Sequence, residues 1–263
     1  MKEYTINDNG KEYKMYYIGA NHNAEGIIMS GVISSYHEPF DNLDVVNVEN
    51  GFGGIRHGII GDIKEAYTFL KDELVSKTPR DLYEYSECVQ SVVLKYFGDF
   101  TNIYNHLAYY PLDEEINLSN KEIGKVSDLK NKSAAKSVER AMLSQNLLCE
   151  IGFDTTFKIS GAIVNGKETI HAFNLIRHDG KYYIFDSTMP TMCDGITSPI
   201  ICEIPRIVYE KMISPFNNIG YSVDISHYCP LQEAECEITY DAGRKELYKA
   251  SEYTKKKVMN ANI

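Results

Sequence analysis

About fifty residues, from Ser137 to Asp186, restrict what this chain can fold into more than any other stretch, because helix, stop, strand and turn signals follow one another without a gap. The segment SVERAMLSQNLLCEI carries Val138, Ala141, Met142, Gln145, Leu148 and Ile151 near helical spacing, which gives a mostly apolar face to pack on a sheet. Gly152 follows as a C′ stop. A strand, TTFKISGAIV, comes next, and then HAFNLIRHDGKYYIFDST, two strands joined by Asp179-Gly180. That dipeptide suits a two-residue type I′ turn, whose central positions both need positive φ.

The turn fixes a register. His178 pairs with Lys181, and counting outward places His171 opposite Thr188, with Asp186 on the same face as its diagonal neighbour. Diagonal pairs lie roughly 7–8 Å apart, within reach of a histidine–carboxylate hydrogen bond. A carboxylate at that place fixes the imidazole tautomer and stabilises the imidazolium. Ser137 opens the helix, where the macrodipole and the first-turn N–H groups favour a thiolate or a developing oxyanion. The competing reading is an exposed histidine beside an aspartate that merely ends a strand.

Several of these residues carry a resemblance to the transglutaminase-like superfamily, relatives of papain-type cysteine proteases. They are Leu147-Leu148, Gly152, Ser160-Gly161, His171-Ala172-Phe173 and the run Tyr182-Tyr183-Ile184-Phe185-Asp186-Ser187-Thr188. The likeness spans roughly Lys132 to Pro190, about a fifth of the chain. It implies an α+β fold with a transglutaminase-like or papain-like core, in which a helix with an N-terminal nucleophile packs on an antiparallel β-sheet. It also implies a nucleophile–His–Asp triad at residue 137, His171 and Asp186.

The family's nucleophile is cysteine, and Ser137 stands at that position. A hydroxyl is far less ionised than a thiol at neutral pH, so the implied acyl transfer should be slow or silent here. Three accounts of Ser137 stay open: an engineered replacement that traps a complex, a natural nucleophile, or a domain that binds without reacting. Cys149 is no substitute, lying more than three turns down the same helix. The implied chemistry is hydrolysis, deamidation or transamidation of an amide or peptide. The alternatives are a catalytically silent peptide- or protein-binding module and a serine hydrolase using Ser137. No G-x-S-x-G elbow surrounds Ser137.

The remaining features set bounds. With 263 residues, 43% hydrophobic and 24% charged, the composition is that of a globular chain with a real core. We expect one domain over 1–263. Strands and helices of 1–115 complete the fold, 116–230 is the catalytic core, and 231–263 is a C-terminal extension. The net charge of −10 disfavours nucleic acid and anionic membranes and permits a basic peptide or protein partner. The first residues lack an apolar signal core, and no run reaches membrane-spanning length. The six cysteines form no compact framework, so reduced thiols and a cytoplasmic location are expected. His227, Cys229 and Cys236, even with Cys193 or Cys202, lack a C-x-x-C knuckle, and no metal or cofactor is expected.

Elsewhere, Asn7-Asp8-Asn9-Gly10 marks a hairpin, and GIIMSGVISSY and DVVNV read as strands. GFGGIRHGIIG matches no phosphate-binding fingerprint and reads as a tight loop into a helix from Asp62. Pro79 breaks that helix; Asp81 caps a second piece and Gly98 stops it. Residues 111–136 read as a polar surface connection. Within it, Ser133 and Lys136 make an S-x-x-K match without the companion motifs. PIICEI reads as a strand followed by a short helix or strand. Gln90, Asn102 and Asn105 are candidate oxyanion donors, and His57 and His106 read as structural.

Overall fold

A computed structural model describes residues 4–8, 11–17, 35–42, 44–49, 55–98, 124–133, 135–164, 167–188, 199–213, 220–223, 235–239 and 245–249. The described strands are β1 (Tyr4–Asp8), β2 (Lys11–Tyr17), β3 (Ser35–Tyr36), β4 (Asp44–Glu49), β5 (Ile55–Ile59), β6 (Gly124–Lys125), β7 (Asp154–Val164), β8 (Lys167–His178), β9 (Lys181–Asp186), β10 (Ile200–Ile204), β11 (Gly220–Val223), β12 (Glu235–Thr239) and β13 (Lys245–Lys249). The helices, renumbered in chain order, are α1 (Lys64–Lys77), α2 (Leu82–Phe97), α3 (Ser137–Ile151) and α4 (Arg206–Ile213). The class is α+β.

The hairpin from Asp179-Gly180 forms as counted. Both residues have positive φ, 48° and 72°, and His178 faces Lys181 with the ladder running to Asn174 opposite Phe185. β7 pairs antiparallel with β8 along its whole length, Asp154↔Arg177 to Val164↔Lys167. β9 pairs with β10, so β10-β9-β8-β7 is an antiparallel sheet. That sheet continues through β11, which lies parallel to β7, into β12 and β13, and β3 pairs beside β7. β10 comes back close to β13, so the sheet curls. A second sheet has the order β1-β2-β4-β5-β6.

The side-chain alternation of the main sheet separates two cores. Phe157, Ile159, Ala172, Ile176, Tyr183, Phe185 and Ile201 face the helices, where they meet Leu143 and Leu147 of α3 and Val89 and Val93 of α2. On the other face lie Phe173, Leu175 and Ile184, all buried. There α4 packs, with the Tyr209 ring tilted against Tyr182 at a centroid distance of 4.6 Å and hydrogen bonded to Thr156. Each fully buried aliphatic or aromatic side chain contributes about 1.5–3 kcal/mol, so both faces are needed to hold the sheet.

The α1–Pro79–α2 break, the Asp81 cap and the Gly98 stop are as expected. The Asp81 carboxylate accepts the Glu84 N–H at 2.9 Å, and Gly98, at φ 84°, donates its N–H to the Leu94 carbonyl at 2.7 Å. Two expectations need correction. Ile55–Ile59, read as loop, is strand β5, paired between β4 and β6; neighbours on both sides satisfy its backbone and outweigh its glycine content. The described part of 111–136 is not merely surface. Val126 and Leu129 are buried, and Asn131 and Ser133 donate backbone N–H groups to the Tyr96 and Phe97 carbonyls that end α2. Ser133 itself sits at φ 51° outside the helix, so the S-x-x-K pair does not open α3. Residues 26–34, 99–123 and 224–230 lie outside the described residues, and with them His106, Asn102, Asn105, His227 and Cys229. No helix among the described residues is long and apolar enough to cross a membrane.

Candidate functional site

The site starts from α3. Lys136, in extended conformation, precedes the helix, and its N–H donates to the Glu139 carboxylate at 2.9 Å. Ser137 is therefore the first helical residue, and its N–H belongs to the turn that has no carbonyl partner within the helix. The buried Arg140 anchors this entry. Its Nε donates to the Ala135 carbonyl at 3.0 Å and its Nη2 to the Gly98 carbonyl at 2.6 Å, tying the start of α3 to the end of α2.

The polar residues in the middle of α3 fix how the helix lies on the sheet. Asn174 of β8 donates through Nδ2 to the Ala141 carbonyl and to Gln145 Oε1, both at 3.1 Å. Gln145 Oε1 also accepts from Thr155 Oγ1, and the same hydroxyl reaches the Leu175 carbonyl. The helix therefore runs in the same direction as β8. Eight residues of helix from Gln145 back to Ser137 cover about 12 Å, and four residues of strand from Leu175 back to His171 cover about 13 Å.

His171 and Asp186 come together. Nε2 of the imidazole lies 2.7 Å from Asp186 Oδ2, and the two residues are 2% and 0% exposed. Burial makes this hydrogen bond stronger than it would be in water and makes its loss costly. The ring stacks on Phe173, with centroids 6.1 Å apart. Asp186 Oδ1 is held in turn by the Thr188 N–H at 2.8 Å. The side-chain contact expected between His171 and Asp186 forms, although the β8–β9 ladder ends at Asn174 opposite Phe185, and the exposed-histidine alternative is excluded.

Alternation also shows what is not joined. His171 belongs to the face of Phe173 and Leu175, whereas Asn174 lies under α3. Among the described residues Ser137 has no hydrogen bond to either His171 or Asp186. β9 leaves β8 after Phe185 and pairs Asp186 with Ile200 of β10, so the imidazole sits where two strands part.

Cys88 and Cys149 are consistent with a structural role. Cys88 is fully buried on α2, and burial raises its thiol. Burial pushes Cys149 up to about 11, with Glu38 and Asp154 adding repulsion, which leaves it a poor nucleophile. The Gln90 amide donates to the Ser187 carbonyl at 3.1 Å.

One buried cation was not legible in the sequence. Lys158 of β7 lies opposite Phe173 on the His171 face, and burial lowers its ammonium from 10.5 to about 7. Its alternate neighbours in the sequence, Thr156 and Ser160, are polar, so the pattern of the strand gives no sign that this face is covered. Between about pH 7 and 10.5 the unfolded chain binds a proton there that the folded chain lacks, so stability rises with pH across that window. Below about 7 both states are protonated and this dependence disappears. Urea titrations across that range should show a gain on the order of 1 kcal/mol per pH unit, abolished in Lys158→Met.

No protein-family model matches the chain, and no curated protein matches it.

Proposed function

We propose that this chain is a transglutaminase-like acyl-transfer protein whose site is residue 137, His171 and Asp186, acting on an amide of a peptide or protein in a cytoplasmic setting. The observation that carries this reading is the buried His171–Asp186 hydrogen bond, made through Nε2. It sets one ring nitrogen of His171 on a carboxylate, and the helix packed on the same strand, β8, begins with a hydroxyl nucleophile. Contacts between nucleophile and base are often long before substrate is present.

In this reading the residue-137 side chain attacks the amide carbonyl while His171 takes its proton. First-turn N–H groups of α3 hold the oxyanion, and His171 then returns the proton to the leaving amine. Water or a second amine resolves the acyl intermediate by the reverse steps. Asp186 holds the tautomer and balances the imidazolium.

A second reading, a binding module of the same fold, is favoured by Ser137 itself. The two are separated by incubating the chain and its His171→Ala variant with glutamine-containing peptides and with a serine-directed phosphonate. Covalent mass added at residue 137, lost in His171→Ala, supports acyl transfer. Peptide binding of equal strength in both proteins, with no adduct, overturns it in favour of the module.

A further inference from the structure

Asp186 does not hold His171 unaided. The peptide unit between Ser187 and Thr188 is hydrogen bonded at both ends. Its N–H donates to Asp186 Oδ1 at 2.8 Å, and its carbonyl accepts from Gln90 Nε2 of α2 at 3.1 Å. Because a peptide unit is planar, its C=O and N–H directions are locked together. Fixing the carbonyl therefore aims the N–H, the N–H fixes one carboxylate oxygen, and the other oxygen is turned to His171 Nε2. Ser187 is held a second time by its own side chain, which accepts the Ser144 hydroxyl of α3 at 3.2 Å.

Gln90 is costly where it stands. It is fully buried, and its Oε1 has no hydrogen-bond partner. An unpaired buried acceptor lowers stability and offsets part of what the bond to the Ser187 carbonyl contributes. The amide orientation is set by the Ser187 carbonyl, since the flipped amide would bring two oxygens together.

We infer that Gln90 is a positioning residue, which acts through the Ser187–Thr188 peptide unit to hold Asp186 on His171 and so to set the imidazole tautomer. The chain of hydrogen bonds runs from α2 through one peptide unit and one carboxylate to the ring, and each bond polarises the next. Its catalytic meaning rests on the acyl-transfer reading, but its existence does not.

The test uses the full chain with ¹⁵N-labelled histidine, reading the His171 tautomer from ring-nitrogen cross-peaks. The parent should show one tautomer, protonated at Nε2. Gln90→Met, which keeps the volume and removes the donor, should stay folded and yet give a mixture of tautomers. Ser86→Ala, one turn earlier on α2 and also buried without a side-chain hydrogen bond, should leave the tautomer alone. Should Gln90→Met not fold, the isosteric Gln90→Glu and the milder Ser144→Ala carry the same readout. A single unchanged Nε2–H tautomer in the folded Gln90 variant overturns the inference. A mixture in both Gln90→Met and Ser86→Ala overturns it too, because that pattern reports loosened packing. In a Ser137→Cys background the same Gln90→Met change should move thiol labelling to higher pH. An ordinary thiol in Ser137→Cys, with the tautomer still controlled by Gln90, would sink acyl transfer and leave the positioning role standing.

Discussion

Replacing Ser137 with cysteine is expected to create a thiol that alkylates readily well below neutral pH. A first-turn position on α3 and the buried His171–Asp186 pair both favour the thiolate. An ordinary cysteine titrates near 8.5, and a fall of two units would raise its thiolate fraction at low pH about a hundredfold. The expected profile is therefore early labelling by a small alkylating reagent, with an apparent pKa well under the ordinary value. Ser137→Cys/His171→Ala should restore the ordinary profile, because the imidazolium that pairs with the thiolate is gone. Normal titration in both proteins would mean that Ser137 and His171 never meet, and the binding-module reading would lead.

The largest stability effect is expected at Asp186. Asp186→Ala leaves the Thr188 N–H and the imidazole without their carboxylate in a place that water does not reach. Breaking a buried, hydrogen-bonded pair by removing one member costs about 3–5 kcal/mol. For a chain of this size that is roughly 10 °C or more in melting temperature. Asp186→Asn keeps an acceptor and the volume, so it should cost roughly half as much. Chemical denaturation of the two variants side by side checks this. Equal losses would show that the cavity, and not the hydrogen bonds, sets the cost.

What could be read from the sequence was local. Asp179-Gly180 fixed the register of β8 and β9 because this dipeptide suits the type I′ turn, with two positive φ angles, that closes a two-residue hairpin. From that register the His171–Asp186 pair followed by counting. Asp81, Pro79 and Gly98 marked helix ends for equally local reasons. What could not be read was set by distant partners. Ile55–Ile59 is a strand because β4 and β6 flank it, which its own glycines do not announce. Gln90 and Ser187 are 97 positions apart, and nothing in either residue's neighbours points to the other. Lys158 is buried because both faces of β7 are covered, which its own sequence neighbours do not announce.

The separation of these contacts along the chain has a kinetic side. α3, β7, β8 and β9 are consecutive, and their pairings close short loops, so the histidine and the aspartate can be brought near one another early in folding. The hydrogen bond from Gln90 closes a far longer loop, as does the pairing of Ser35 with Lys158. By loop length alone, the site's two ionisable partners are expected to meet first, with α2 docking on them afterwards.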